Sequence, residues 1–513
     1  MSRPEIEKFI VTAAQMREIE GRVFDAGMPV AALMEKVAGL IARRVETLYP
    51  IGETGSLRVG VLVGPGHNGG DGLVVARELH FHGYEVAIYC PFTKLKELTQ
   101  HHANYAASLG IPISQEIESL EYCDLLIDGL FGFGLEREIK DPVARAIALT
   151  NQWSKPILSI DIPSGLHTDS GAVLGTAVSA TRTFCLGLWK LGELEDQALE
   201  YLGTAELIDF DLPLKDIEAV LGHSPTFNRI TPCQGKSALP LPRPLTAHKY
   251  KLGHLLLICG SRQYSGAAIL AGLGARSSGV GMLSVAVPSS LKLLLNQSLP
   301  EALVIDCPET ESGAIAHLPP VVDLNSYDAI AIGPGLTMEP LSLVEQILEC
   351  DRALILDADA LNILAKLHPG TILSQRRSAT ILTPHPGEFR RLFPNCRGDL
   401  SSRVLVSQTA AQECGATIVL KGARVAIAHP DGRVWINPES TPALARGGSG
   451  DVLTGLMGGL IARPLKGNLT ELVQTAVWWH ARAGILAAGD RTELGVDAFT
   501  LTQYLIPALQ GSL

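Results

Sequence analysis

Two glycine-rich stretches with acidic neighbours carry the groups best suited to chemistry. The first, "GPGHNGGDG" at 64–72, lies between the apolar run "RVGVLV" and "LVVARELHFHG", which has helical spacing. The second, "GGSGD" at 447–451, leads into "VLTGLMGGLIAR". A strand, a glycine loop and a helix start together let free backbone amides contact phosphate oxygens. We expect both stretches to bind phosphorylated ligands; a plain tight turn is the alternative for the first.

The first stretch departs from the usual nucleotide-binding fingerprints. Gly64, Gly66 and Gly69 fit the spacing G-x-G-x-x-G, but the next apolar run, "EVAIYC", carries its only acid at its start, Glu85. A resident dinucleotide would require an acidic residue at the far end of that strand. No Gly-Lys-Ser/Thr follows either, so the stretch is not a Walker loop. The pattern therefore indicates a bound substrate and argues against a standing NAD cofactor.

Two further aspartates follow apolar runs in the first half of the chain. Asp128 ends the run in "LLIDGLFGFGL", and Asp161 ends the run in "LSIDIPSGL", with Ser164 just after it. The carboxyl ends of parallel strands are where open α/β sheets bind ligands. Oxygen ligands gathered there could bind a hard cation and leave one carboxylate for proton transfer. The alternative is that each aspartate only caps the helix or turn that follows.

Asp451 ends the second glycine loop and has two possible roles. A carboxylate beside a phosphate would repel it, unless the carboxylate takes a proton from a hydroxyl that is about to be phosphorylated. As an acid in the first turn of a helix, it could instead only complement the helix dipole. The neighbouring segments decide between these alternatives.

Short Val/Ile/Leu runs alternate with helical stretches throughout, which predicts parallel sheets covered by helices. We expect two three-layer αβα domains, with a boundary in the proline-rich interval 213–240 and domains of 1–225 and 235–513. The predicted helices include 97–109 and 142–151. The predicted strands are "RVGVLVG", "EVAIYC", "CDLLIDGL", "KPILSIDIP" and "TRTFCL" in the first half, and "HLLLICGS", "GMLSVAVP", "YDAIAIGPG", "ALILDADAL", "ATILTPHPGE", "GATIVLKG" and "ARVAIAHPDG" in the second.

Bulk composition narrows the class of protein. The chain has 513 residues, which is too long for one hydrophobic core. Its net charge of -11 argues against a nucleic-acid or anionic-membrane surface. Nine cysteines without a C-x-x-C pair favour a reducing compartment over a disulfide framework or zinc site. The charged start and the lack of a long apolar run predict a soluble, cytoplasmic enzyme.

Several stretches of the first half resemble the NAD(P)H-hydrate epimerase domain, a Rossmann-like fold, over about 10–212. They are "MREIEGRVFDAGMPVAALMEKVAG", "LVGPGHNGGDGLVVARELHFHGYEV", "IDGLFGFGL" and "DIPSGLHTDSGAVLG". The resemblance implies a potassium ion on Asn68, Asp128 and Ser164, and Asp161 is the candidate general acid/base. It implies substrate contacts from His67, Asn68, Gly69, Gly70, Asp71, Gly132, Phe133, Gly134, Leu135, Glu136, Arg137, Glu138 and Asp161. His67 stands where the family usually has Asn, and "TFCLGLWKLGEL" also differs from the family pattern.

The second half resembles the ADP- or ATP-dependent NAD(P)H-hydrate dehydratases, members of the ribokinase-like superfamily, over about 245–510. The segments are "GSRQYSGAAILAGLGARSSGVGML", "IAIGPGL", "LDADALNIL", "LTPHPGEFRRL", "LKGARVAIAHPDGRVW" and "RGGSGD". The resemblance implies hydrate binding by Ala267, Gly335, His385 and Asp451, with Asp451 as catalytic base and Mg2+ as a further cofactor. It implies nucleotide binding by Lys421, Gly422, Ala423, Arg424, Val425, Gly447, Gly448, Ser449 and Gly450. Arg446, before the anion loop, either adds charge near the phosphates or faces solvent.

The two resemblances together predict a bifunctional repair enzyme. The first half would epimerise the R and S forms of NADHX and NADPHX, and the second would dehydrate the S form to NAD(P)H at the expense of ADP, with ATP as the alternative. We expect a homo-oligomer without nucleic-acid or membrane partners. The alternative is a ribokinase-like sugar or vitamin kinase fused to a Rossmann-like binding module that lacks catalysis.

Overall fold

The computed structural model describes residues 3–52, 55, 57–396, 402–463 and 468–510. The chain divides into two compact units, Met1–Phe227 and Asn228–Leu513. The predicted boundary interval 213–240 contains this division. Among the described residues, no helix is long and apolar enough to cross a membrane.

The first unit is built on a seven-stranded parallel sheet with the strand order β4-β3-β2-β5-β6-β7-β9. A separate pair of short parallel strands, β1 and β8, lies outside this sheet. The elements are β1 (Ile10–Val11), α1 (Ala13–Asp25), α2 (Val30–Leu48), β2 (Arg58–Val63), α3 (His67–Phe81), β3 (Glu85–Tyr89), α4 (Glu97–Ser108), β4 (Ile113–Ser114), β5 (Leu125–Gly129), α5 (Val143–Gln152), β6 (Ile157–Ile160), β7 (Arg182–Leu186), β8 (Trp189–Lys190), α6 (Leu199–Leu202), β9 (Thr204–Ile208) and α7 (Leu214–Leu221).

The second unit is built on a ten-stranded mixed sheet with the order β10-β19-β18-β17-β16-β15-β14-β11-β12-β13. The elements are β10 (Phe227–Arg229), α8 (Pro232–Ser237), β11 (His254–Ile258), α9 (Ser265–Ser278), β12 (Met282–Pro288), α10 (Lys292–Ser298), β13 (Leu303–Cys307), β14 (Ala329–Ile332), α11 (Leu341–Glu349), β15 (Ala353–Leu356), α12 (Ala358–Lys366), α13 (Pro369–Gln375), β16 (Thr380–Leu382), α14 (Pro386–Leu392), α15 (Arg403–Cys414), β17 (Thr417–Leu420), β18 (Val425–Ala428), β19 (Val434–Asn437), α16 (Ser449–Ile461), α17 (Leu469–Arg491) and α18 (Ala498–Tyr504). β18 runs antiparallel to both β17 and β19.

The predicted fold class, two α/β domains built on largely parallel sheets with helices between the strands, is confirmed. Central strands such as β5, β6 and β14 are buried along their whole length, because helices cover both faces of a parallel sheet. Such strands are continuous apolar runs, and this is why the sequence predicts them. The buried side chains that pack against the two sheets form separate clusters in the two units.

Several short or edge strands were not predicted from the sequence, among them β9, β13 and β19. β9 and β13 lie at sheet edges and carry acidic residues, Glu206 and Asp306. Edge strands tolerate charges because one side of the strand has no neighbour to pair with. A charged residue within a short apolar run therefore makes an edge strand difficult to predict from the sequence.

Candidate active sites

The first site lies at the carboxyl ends of β2, β5 and β6. β2 lies between β3 and β5, so the chain leaves it toward one side of the sheet and returns on the other. Such a reversal in strand order opens a crevice at the strand ends. The predicted site residues of this unit follow these three strands.

The loop that follows β2 is shorter than predicted. α3 begins at His67, so His67, Asn68, Gly69, Gly70 and Asp71 lie in its first turns and the predicted loop 64–72 is wrong in its second half. The glycines are required because the helix start packs against backbone. A Cβ on Gly69 would lie 2.0 Å from the carbonyl oxygen of Gly64, and one on Gly64 would lie 1.6 Å from that of Leu130.

Asp128 and Ser164 form a buried polar cluster at the end of β5. The Ser164 hydroxyl donates to Asp128 Oδ1 over 2.6 Å, and the Ser164 amide donates to Oδ2 over 2.9 Å. The Ser159 hydroxyl and the Leu130 amide also donate to this carboxylate. Burial raises the pKa of Asp128, although these hydrogen bonds act in the opposite direction. The cluster holds the loops that follow β5 and β6 together.

Asp161 is the most constrained candidate in the first unit. Its backbone is left-handed, with φ of 72°, and its side chain is buried. The Phe133 amide donates to Asp161 Oδ2 over 2.6 Å. The Lys190 ammonium donates to Oδ1. The structure thus fixes both carboxylate oxygens, one through the predicted 132–138 loop and one through a lysine.

Lys190 was not predicted as a site residue, and it is fully buried. Besides Asp161, its ammonium contacts the carbonyl oxygen of Leu186 at 2.8 Å. Its backbone amide donates to Glu193 Oε2 at 2.8 Å, and the Cys185 thiol donates to the same oxygen. A buried ammonium needs such partners because its desolvation is costly. The network fixes the position of the cation beside Asp161.

Glu20 and Asp71 add two carboxyls to this crevice. Burial, followed by the charge of Asp161, raises the pKa of Glu20 to about 7. Burial and the charges of Asp161 and Glu20 raise the pKa of Asp71 well above its ordinary value. Glu20 lies on α1, whose Arg17 approaches the 132–138 loop: a Cβ on Gly134 would lie 3.2 Å from its guanidinium. Two carboxyls with raised pKa values therefore lie close to Asp161.

The predicted substrate loop reaches this crevice with its first residues. A Cβ on Gly132 would lie 2.8 Å from Asp161 Oδ2 and 3.1 Å from Asn68 Oδ1, so these three predicted residues meet. The Gly134 amide donates to the Thr168 hydroxyl at 3.1 Å. Leu135 is partly exposed, and 136–138 are exposed, as is His67.

The second site lies at the carboxyl ends of β11, β14, β15 and β16, with the start of α16 beside them. β11 separates β14–β16 from β12 and β13, so the strand order reverses here as well. α16 begins at Ser449, two residues before the predicted start near Asp451. Gly448 precedes it with φ of 91°, a conformation that favours glycine. The amides of the first helical turn lack acceptors within the helix, so the loop 447–450 can bind an anion.

Asp451 lies in this first turn and is partly exposed. Its pKa is raised from 3.8 to about 7, first by burial and then by the charges of Asp357 and Asp359. The Lys421 ammonium acts in the opposite direction. Near neutral pH, this carboxylate can therefore accept a proton.

Asp357 links the anion loop to Lys421. It follows β15 and is 1% exposed. The Lys421 ammonium donates to Asp357 Oδ1 at 2.7 Å, and the Thr454 hydroxyl donates to Oδ2 at 2.6 Å. A Cβ on Gly450 would lie 3.3 Å from the Lys421 ammonium. A cation therefore lies against the loop predicted to bind phosphate.

His385 has a structural role as well as its predicted binding role. It caps α14: its Nδ1 accepts from the Gly387 amide at 2.9 Å, and its own amide donates to Glu388 Oε2. Because Nδ1 accepts, the neutral ring carries its proton on Nε2. The side chain is half exposed, and its Nε2 lies 3.4 Å from Glu388 Oε1.

Some of the remaining predicted residues of the second site lie together, and others are exposed. Ala267 and Gly335 meet, since a Cβ on Gly335 would lie 2.8 Å from the Ala267 methyl. Gly422 and Ala423 are exposed, and β18 begins at Val425. Arg446 is exposed, and its guanidinium donates to the carbonyl oxygen of Leu494.

The site residues missed from the sequence differ in how detectable they were. Asp357 ends an apolar run in "LILDADAL", as Asp128 and Asp161 do, so the same rule could have found it. Lys190 stands alone in an apolar stretch, and only its unusual burial marks it. Glu20 lies on an amphipathic helix with other charges, and no local signal separates it from them.

Comparison with known proteins matches both units. Residues 30–192 match the family model described as YjeF-related protein N-terminus, and residues 255–507 match the model described as NAD(P)H-hydrate dehydratase. The bifunctional NAD(P)H-hydrate repair enzyme Nnr of Synechocystis sp. is 54% identical over 97% of this chain and 94% of its own length. The same enzyme of Gloeobacter violaceus is 48% identical over 98% and 97%. A solved ADP/ATP-dependent NAD(P)H-hydrate dehydratase from Bacillus subtilis, co-crystallised with ATP/Mg2+, is 34% identical, covers 55% of this chain and 98% of its own, and has a TM-score of 0.48.

Proposed function

Because the chain belongs to the family of bifunctional NAD(P)H-hydrate repair enzymes, we propose that its two units repair the hydrated cofactor in succession. The first unit interconverts the R and S forms of NADHX and NADPHX. The second dehydrates the S form to NAD(P)H at the expense of ADP, giving AMP and phosphate. The kinase alternative is not favoured, because the similarity to the repair enzymes extends over both units.

The observation that carries the second activity is the Asp451 carboxyl at the start of α16. The hydroxyl of the hydrate leaves poorly as hydroxide, and phosphorylation converts it into a good leaving group. Asp451 takes the hydroxyl proton, and its pKa of about 7 suits a base that works near neutral pH. The amides of 447–450 bind the phosphate oxygens of the nucleotide. Departure of phosphate then restores the double bond of the ring.

Nucleotide binding involves the segment 421–425 and the anion loop. Lys421 supplies a cation at this loop, as its 3.3 Å approach to a Cβ position on Gly450 supports. Mg2+, when bound with the nucleotide, would neutralise charge on the phosphates. ADP is preferred over ATP in this proposal, since the bifunctional arrangement resembles ADP users. Ala267, Gly335 and His385 contact the hydrate.

For the first activity, Asp161 is proposed as the general acid/base. Epimerisation at C6 requires the ring to lose and regain its hydroxyl, or to open reversibly, and either route moves protons. Lys190 balances the charge of Asp161 inside the unit. Glu20, with a pKa of about 7, is a second carboxyl able to exchange protons in this crevice. Asn68, Asp71 and the 132–138 loop contact the substrate, together with His67, Gly69 and Gly70.

A potassium ion on Asn68, Asp128 and Ser164 fits the chemistry of the residues present. All three side chains offer oxygen, which hard cations prefer. The Asn68 Nδ2 atom is buried without a hydrogen-bond partner among the described residues. Reversal of this amide would put its oxygen in that position, and oxygen and nitrogen of an amide are assigned from such networks. The ion would supply positive charge for an electron-rich group of the substrate.

One experiment tests the proposed function as a whole. The purified protein is mixed with the separate R and S hydrates, with ADP or ATP, and NAD(P)H absorbance is followed. We expect the S hydrate to be converted to NAD(P)H at once. The R hydrate should give NAD(P)H only through epimerisation to the S form. A stable phosphorylated product would support the kinase alternative instead, and no formation of NAD(P)H with either nucleotide would exclude the repair activity.

Residence in the cytoplasm and assembly into a homo-oligomer stay predictions. The described cysteines are all free thiols, as a reducing compartment requires.

A further inference from the structure

The arrangement around Asp357 goes beyond the residues assigned to the dehydration reaction. Asp357 is buried, and side chains from two other segments use both of its oxygens. Lys421 follows β17, and Thr454 lies in α16. A buried carboxylate with a charged partner and a hydroxyl donor is held in one orientation. Asp357 therefore ties the anion-binding helix to the strand that carries Lys421.

The geometry directs the lysine toward the start of α16. Gly450 lies at the start of α16, and a Cβ there would be 3.3 Å from the Lys421 ammonium and 3.7 Å from Asp357 Oδ2. Thr454 lies four residues further on, on the same face of the helix. An unrestrained lysine side chain loses rotamer entropy when it is ordered. The two hydrogen bonds to Asp357 order the site before a phosphate arrives.

We propose that Asp357 is a positioning residue: with Thr454, it holds the Lys421 ammonium where the phosphoryl group passes from the nucleotide to the hydrate. This inference rests on the proposed dehydratase function. In that step, the hydroxyl oxygen of the hydrate forms a bond to the terminal phosphorus of the nucleotide. The bond from that phosphorus to its bridging oxygen breaks, and the hydroxyl proton goes to Asp451. A fixed ammonium stabilises the charge on the oxygens of the transferred group without reorganisation.

Asp357 also affects the pKa of Asp451, the proposed base. The charged groups that affect the Asp451 carboxyl are the carboxylates of Asp357 and Asp359, which raise its pKa, and the ammonium of Lys421, which lowers it. The buried Cys259 thiol also faces it. Loss of the Asp357 charge should therefore lower the pKa of Asp451. A residue that served only to stabilise the fold would not shift the pH dependence of the reaction.

The test uses the full chain with Asp357→Asn, Lys421→Met and the double variant. Asp357→Asn should lower kcat for dehydration by about 30-fold or more, with a smaller change in the KM for the hydrate. Its rate should fall off on the acid side at a pH lower by about 0.5 unit or more. At pH values above the acid limb, where both residues affect the rate through one ammonium, the double variant should be no slower than Lys421→Met alone. Epimerisation should stay at the wild-type rate, and Asp351→Asn, which removes an exposed aspartate, is the matched control.

Thr454 gives a second, milder test in case Asp357→Asn does not fold. Thr454→Val removes the hydroxyl at nearly constant shape and should lower kcat by about threefold to tenfold, whereas Thr454→Ser should restore the rate. The proposal is overturned if Asp357→Asn stays within threefold of wild type, or if its effect multiplies with that of Lys421→Met. Equal rates for Thr454→Val and Thr454→Ser would also overturn it. Failure of the wild-type protein to produce NAD(P)H would instead contradict the proposed function.

Discussion

Replacing Asp451 with asparagine should make the second unit more stable and nearly inactive. The carboxyl has a pKa raised from 3.8 to about 7, first by burial and then by Asp357 and Asp359. The folded state thus holds the proton more tightly than the unfolded chain does, and ionising the group costs stability. Asparagine has nearly the same shape, can still accept a hydrogen bond at the helix start, and carries no charge.

The magnitude follows from the change in pKa. The difference between 3.8 and about 7 is roughly three pH units, and at 1.36 kcal/mol per unit it sets an upper bound of about 4 kcal/mol. Asp451 is partly exposed, so solvent screening reduces this, and we expect about 1–2 kcal/mol. The penalty is absent below about pH 4, where the group is protonated in both states. It grows as the pH rises to about 7 and stays constant above that.

Two assays measure this. Calorimetric unfolding at about pH 8 and about pH 4 should show the Asn variant more stable than wild type at the higher pH only. For wild type, kcat/KM for dehydration should fall about tenfold per pH unit below about 7, because the base becomes protonated. The Asn variant should be at least about 100-fold slower and lose this acid limb. ADP binding and epimerisation should be retained.

Two results would refute this reasoning. A variant that is less stable than wild type at about pH 8 would mean that Asp451 contributes to the helix start through its charge. Turnover within threefold of wild type would mean that no proton passes to Asp451. Either result would return the residue to the role of a first-turn acid.

Lys190→Met should slow epimerisation by about 100-fold or more, because Asp161 would stay buried without its cation, while dehydration by the same sample should be unchanged. Equal loss of both activities would indicate unfolding, and Lys155→Met, which replaces a partly exposed lysine, is the control. Replacing potassium with tetramethylammonium should slow epimerisation alone, and equal rates in both buffers would remove the ion from the mechanism. Fragments 1–227 and 228–513 should each fold and keep one activity, as heteronuclear NMR and the two assays would show; aggregation of both would mean that the cores are shared.

The parallel strands and their functional ends were predictable because one physical cause produces both signals. A strand covered on both faces must be apolar along its length, and its carboxyl end must open on the crevice. Asp128, Asp161 and Asp357 all stand at this transition from apolar run to loop. The sequence analysis predicts Asp128 and Asp161 as site residues from this transition, and Asp357 carries the same signal.

Features decided by packing over long distances were not predictable. The start of α3 at His67 was missed because three glycines in its first turns indicate a loop when they are taken locally. Two of them are required by tertiary contacts, because a Cβ on Gly69 would lie 2.0 Å from the carbonyl oxygen of Gly64 and one on Gly70 would lie 2.7 Å from the methyl of Met34. Lys190 reaches Asp161, 29 positions earlier in the chain, after a turn at Gly187 with φ of 74°. No spacing rule connects residues joined only by the tertiary fold.

The left-handed backbone of Asp161 has a consequence for how this gene can change over time. At φ of 72°, glycine would be free of the strain that an aspartate bears, which is about 1 kcal/mol. A mutation to glycine would relieve that strain, but it would also remove the carboxylate and leave the Lys190 ammonium buried without its partner. Asparagine also tolerates this backbone but cannot exchange a proton as a carboxyl does. Backbone geometry alone therefore does not favour aspartate at this position. The ion pair with Lys190 and the proton exchange by the carboxyl are the reasons to retain it.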